Sequence, residues 1–115
     1  DAAYFQMAIH VKEEDLETSI GFWHAALEAG DMKARFGLGY TLYDAGRYRE
    51  AYDQLRLYTE LSPHDAWAWC WYGMACEKLS ERRAAADAYR RAVEMERRGG
   101  RETDAKERLQ DLRAR

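Results

Sequence analysis

Proline is almost missing from this chain: Pro63 is the single one in 115 residues. Glycine is sparse, with eight, and cysteine is limited to two. Few residues therefore break a helix, and the abundant Ala, Leu, Glu and Arg favour one. No stretch alternates apolar and polar residues for long enough to build a sheet. The fold class expected is all-α. No apolar run approaches the roughly 20 residues that a membrane-spanning helix needs, so no membrane span is expected. Cys70 and Cys76 lie six positions apart. On one helix they point to different sides and cannot readily pair, so they read as reduced thiols used as small apolar side chains. His10, His24 and His64 are dispersed, and none has a Cys, His or acidic partner at metal-ligand spacing. No nucleophile motif or phosphate loop is present. No metal, no cofactor and no catalytic site are expected, and hence no enzyme.

Charge of one sign does not dominate either. The net charge is −3, with 34% charged and 47% hydrophobic residues, a globular rather than a disordered composition. Its distribution is uneven. Residues 1–77 hold six Lys and Arg against thirteen Asp and Glu, whereas residues 78–115 hold twelve against eight. Arg82-Arg83, Arg90-Arg91 and the run Arg97-Arg98-Gly99-Gly100-Arg101 could form a basic stripe for phosphates. Glu81, Asp87, Glu94 and Glu96 interleave with them, so solvated helix faces are the simpler reading and nucleic acid is not the expected partner. Glu13-Glu14-Asp15 sits near a helix start, where negative charge is favourable. The chain opens on Asp1 rather than Met, as expected for an excised or processed piece. A cytoplasmic location is expected.

What the chain does have is a repeat. Residues 32–65 and 66–99 superpose with a shift of 34 positions: Gly39 meets Gly73, Ala51 meets Ala85, Leu55 meets Tyr89, Leu38 meets Tyr72 and Leu42 meets Cys76. Glycine and alanine at the matched positions let paired helices approach closely, since a larger side chain would hold the backbones apart. Pro63 disfavours helix at the preceding residue and separates the units, Asp65 can cap the next helix, and Gly46 can end the first helix of its unit. Seven helices are predicted, near 2–12, 15–29, 32–45, 48–61, 65–79, 82–97 and 103–113. Leu16, Ile20, Trp23 and Leu27 recur at helical spacing in the second of these. Ala105, Leu109 and Leu112 do so in the last, which Gly99-Gly100 separates from its predecessor.

The pattern resembles the tetratricopeptide repeat, whose unit of about 34 residues carries a Trp, a Leu-Gly pair, a Tyr, an Ala, a Phe and a late Pro. Residues 66–99 offer Trp69, Tyr72-Gly73, Cys76, Ala85 and Tyr89, and residues 32–65 offer Leu38-Gly39, Leu42, Ala51, Leu55 and Pro63. Arg35 stands in the Trp position of the first unit, Arg97 replaces the Pro of the second, and Tyr58 stands where its counterpart, Ala92, is small. The junction ALEAGDMKARFGLG, from Ala26 to Gly39, resembles the related Sel1-like repeats. The resemblance implies one domain, an α-solenoid of stacked helical hairpins. Residues 1–31 would be a degenerate Sel1-like repeat, 32–65 and 66–99 two repeats, and 100–115 a capping helix with a polar outer face.

The stretch DAWAWCWYGMACEKL, residues 65–79, is apolar nearly all round. Trp69, Tyr72, Gly73 and Cys76 share one side and match the repeat's packing positions. Trp67, Cys70, Trp71, Met74 and Lys78 share another, which the resemblance implies would line a concave groove together with Lys33, Phe36, Tyr40, Tyr43 and Asp44. A helix apolar on two faces must be buried on both or bind something. A well-known subgroup of the family clamps peptide carboxylates with Lys, Asn and Arg. Here the groove positions hold Phe36, Tyr40, Cys70, Trp71 and Met74, so an apolar peptide or helix fits better. The expected function is a protein-interaction scaffold or chaperone-like adaptor. Self-association through the same surface, giving a homo-oligomer, and nucleic-acid binding through the C-terminal arginines are the alternatives.

Overall fold

A computed structural model describes residues 15–115. Among these, the chain forms six helices and no strand: α1 Leu16–Glu28, α2 Ala34–Asp44, α3 Tyr48–Leu61, α4 Ala66–Lys78, α5 Arg82–Arg97 and α6 Ala105–Ala114. The protein is an all-α helical repeat. The helix expected near 2–12 lies outside the described residues. The other six expected helices match closely, because the residues that end them were legible.

Those ends follow from backbone chemistry. Gly46 holds φ at +79° after α2. Its N–H reaches the Tyr43 carbonyl at 3.0 Å, and the Arg47 N–H reaches that of Leu42 at 2.9 Å, so two otherwise unpaired carbonyls of the last turn are satisfied. One repeat later the same turn recurs, with the Glu81 N–H on the Cys76 carbonyl at 2.9 Å. There Ser80 occupies the left-handed position at φ +61°. At the start of α4 the Asp65 carboxylate accepts from the N–H groups of Trp67 at 3.0 Å and Ala68 at 3.3 Å, as an N-cap should.

Each helix packs on its neighbour in sequence, and α2 also touches α4. The hairpins α2–α3 and α4–α5 close at matched points. A Cβ on Gly39 would lie 2.6 Å from Leu55 Cγ, and one on Gly73 would lie 2.6 Å from Tyr89 Cε1. Ala51 and Ala85 are fully buried beside these contacts. A third close approach, not anticipated, joins α1 to α2: a Cβ on Gly37 would meet the Trp23 ring at 2.5 Å. The Trp23 indole N–H donates to Thr41 Oγ1 at 2.9 Å in the core. Arg35, in the family's Trp position, donates from Nη1 to Gln54 Oε1 at 2.7 Å.

The interior divides in two. Trp23, Leu38, Leu42, Ala51, Leu55 and Ala75 belong to one cluster. Cys70, Met74, Cys76, Ala85, Tyr89 and Ala92, with Ala105, Leu109 and Leu112 of α6, form the other. Helix α4 is the wall between them, and Trp71 and Tyr72 pack against both. This accounts for its lack of a polar face.

Helix α6 continues the 34-residue frame. Trp71, Ala75 and Lys78 have their counterparts in Ala105, Leu109 and Leu112, all buried. Tyr72, Gly73 and Cys76, which receive α5, correspond to Lys106, Glu107 and Gln110, all exposed. The frame thus supplies the first helix of a further unit with a solvated side where its partner would dock.

Two substitutions test the matched contacts. Gly73→Ala should destabilise the fold by about 1–3 kcal/mol, because the buried Tyr89 ring has no room to retreat, whereas alanine in an open helix would help. Ser80→Gly should stabilise it by about 0.5–1 kcal/mol through relief of the left-handed backbone. Urea unfolding followed by circular dichroism measures both.

Candidate interaction surface

Six rings run in contact along α2, α3 and α4. Phe36 stacks on Tyr58 at 5.3 Å between ring centres and meets Tyr40 edge-on at 6.2 Å. Tyr40 lies 4.1 Å from Trp71, and Tyr43 meets the same indole edge-on at 5.3 Å. Tyr43 continues to Tyr48 at 5.3 Å, and Lys78 Nζ closes the strip 5.4 Å above the Tyr48 ring. Tilted and edge-on pairs are the geometry that ring quadrupoles favour, so the strip is self-supporting. Phe36, Tyr40, Tyr43, Trp71 and Tyr48 all remain half-buried, and Phe36, Tyr43 and Trp71 pack against the core. Burial raises the hydroxyl pKa of Tyr40, reinforced by the Asp44 carboxylate. Burial likewise raises that of Tyr43, against the opposing charge of Arg108. Both rings therefore present neutral hydroxyls at neutral pH.

The expected groove residues divide into three groups. Phe36, Tyr40, Tyr43 and Trp71 come together in the strip, with Lys78 at its end. Lys33 is exposed at the start of α2, where its N–H is held by the Asp31 carboxylate at 3.1 Å. Cys70 and Met74 are the correction: they are 0% and 8% exposed and lie in the second cluster beneath α6. The physical reason is that α6 takes the place of a next helix, and their small or flexible side chains sink under it. Trp67 is half-buried against that same cluster.

A second strip escaped the sequence reading. Tyr52 lies 5.4 Å from Tyr72, and Tyr72 lies 6.2 Å from Trp69. Arg49 sits 4.9 Å above Tyr52 at one end, and Arg91 sits 5.0 Å above Trp69 at the other. The Trp69 indole N–H donates to the Pro63 carbonyl at 2.8 Å. Trp69 was expected in the core; it is half-buried instead, with Arg91 over its ring. The Arg49-to-Tyr52 spacing of three could have pointed to the first cap, had arginine been read for its planar face as well as its charge, whereas Arg91 over Trp69 joins two helices and no spacing reveals it.

Four other C-terminal arginines are engaged within the fold. Arg90 pairs with Asp87 at 2.7 Å, and Arg97 and Arg98 pair with Glu94 at 3.9 and 3.2 Å. Arg82 donates to the carbonyls of Leu112 and Arg115. Among the described residues no cluster of His, Cys, Asp and Glu could hold a metal ion, and no helix is long and apolar enough to cross a membrane. His24 and His64 are exposed.

Two thiols and two tyrosine hydroxyls couple folding to high pH, and the thiols are the first of them to titrate in the unfolded chain. Burial raises Cys70 and Cys76 from 9.0 to about 11 each, and burial also raises Tyr72 and Tyr89. A raised pKa means that the unfolded chain loses its protons first as pH climbs. Thermal stability should therefore hold up to about pH 9 and fall between about pH 9 and 11. A melting-temperature series across that range, repeated with Cys76→Ala, should show a shallower decline in the variant.

No relative matches among the curated proteins compared. Residues 68–98, which are α4 and α5 almost entire, match the family model of the tetratricopeptide repeat. Repeats of that family generally mediate protein–protein interaction. Over α4 and α5 the chain is therefore similar to a tetratricopeptide repeat, and the 34-residue period and the second glycine-closed hairpin carry the same pattern back through α2 and α3.

Proposed function

We propose that the protein is an interaction scaffold or chaperone-like adaptor that holds an apolar peptide or helix of another protein against the strip of Phe36, Tyr40, Trp71 and Tyr43. The observation that carries this reading is the strip itself: contiguous, half-buried rings that lean on one another between α2 and α4. Aromatic side chains supply much contact area with few rotors to immobilise. Lys33 and Lys78 would add a polar rim. No catalytic step and no cofactor enter the reading. The match to a family of interaction repeats supports it. The Gly30 turn, at φ +92°, is compatible with a Sel1-like junction and one continuous domain.

Self-association would use the same rings. Nucleic-acid binding draws less support, because Arg90, Arg91, Arg97 and Arg98 are already engaged by acidic or aromatic side chains.

The test compares immobilised wild type with Tyr40→Ala and with Lys78→Glu, after circular dichroism shows both variants folded. Captured partner should fall about tenfold or more for Tyr40→Ala, as for loss of an interface anchor, and less for the rim change. Identical capture by all three would end the reading. Light scattering that shows mass rising with concentration would favour a second copy as the occupant.

A further inference from the structure

We propose that α6 is a displaceable cap, which opens as a unit while α1–α5 stay folded and thereby uncovers Cys70 and Met74. Three observations point to this. First, α6 is held on one side only. Its ten residues bury Ala105, Leu109 and Leu112, whereas Lys106, Glu107 and Gln110, where a following helix would dock, face solvent. Second, it hangs on the segment 98–104, which contains Gly99 and Gly100 and has no helix of its own. Its remaining ties are polar: Arg82 on the carbonyls of Leu112 and Arg115, Arg115 with Glu77 at 3.4 Å, and Thr103 with Glu96. An isolated helix of this length is marginal in water, so α6 would melt on leaving its seat, and low local contact favours such sub-global opening.

Third, the two buried thiols have different covers. Cys70 is neighboured by Thr103, Asp104 and Arg108, at the start of α6. Cys76 is neighboured by Tyr72 and Glu81, within the α4–α5 hairpin. Opening of α6 exposes the first and leaves the second closed. Cys70 and Met74 are the 34-residue counterparts of Phe36 and Tyr40. The open form would therefore extend the aromatic face by one more stretch of α4, a consequence that rests on reading that face as the partner surface.

Thiol labelling of the full chain near pH 8 tests the cap. The wild type is exposed to excess N-ethylmaleimide, and initial rates at each cysteine are read by tandem mass spectrometry. Cys70 should react about tenfold or more faster than Cys76. Leu112→Ala should raise the Cys70 rate by about a further tenfold while leaving Cys76 unchanged. Equal rates at both thiols, or a Cys70 rate that Leu112→Ala does not move, would overturn the proposal. So would a parallel rise at both cysteines, since only global unfolding exposes them together. A chain that captures no partner would leave these rates untouched, so failure of the cap and failure of the interaction surface are separate results.

Discussion

Helix α4 has to be buried on two sides, and the rest of the structure is arranged to satisfy it. Ala75 belongs to the core shared with α1, α2 and α3, and Cys70, Met74 and Cys76 belong to the core shared with α5 and α6. A helix in this position cannot be amphipathic in the ordinary sense. Its two apolar sides need two sets of partners, and the glycine contacts fix how close those partners come. Gly73 admits the Tyr89 ring on the α5 side. Trp71 reaches the other way, to Tyr40 and Tyr43 of α2. Remove either neighbour and α4 would leave a wide apolar surface in water.

The same arrangement explains why aromatic residues gather into strips. Where α2 and α4 run side by side, the rings between them cannot all reach the interior, so they lean on one another along the seam. On the opposite side the solution differs: Tyr52, Tyr72 and Trp69 are closed by the guanidinium planes of Arg49 and Arg91. One seam is thus finished with arginine at both ends, and the other carries Lys78 over Tyr48. That asymmetry, more than the number of aromatic residues, singles out the Tyr40–Trp71 seam as the candidate surface.

Much of this was legible in the chain. Gly39, Gly73, Ala51 and Ala85 declare the period and the hairpins, and Gly46, Pro63 and Asp65 declare the boundaries, because each acts through its own backbone or its missing side chain. Residues whose role depends on a distant neighbour were harder. Cys70 and Met74 share a helix side with Trp71, and helical spacing alone cannot say that α6 covers them. Trp69 fits the family's packing position, yet its environment depends on Arg91, a turn of α5 away. Gly37 resembles any helix glycine until Trp23 is seen against it.

A stack built from one recurring unit has no intrinsic length. Nothing in the hairpins themselves says how many there should be, and an apolar end would keep recruiting further copies of the pattern, its own or another molecule's. Here one side of α6 is polar at Lys106, Glu107 and Gln110, the counterparts of Tyr72, Gly73 and Cys76. Three side chains on one short helix, by changing from apolar or small to large and polar, make that side of α6 a face that water, rather than another copy of the pattern, can cover.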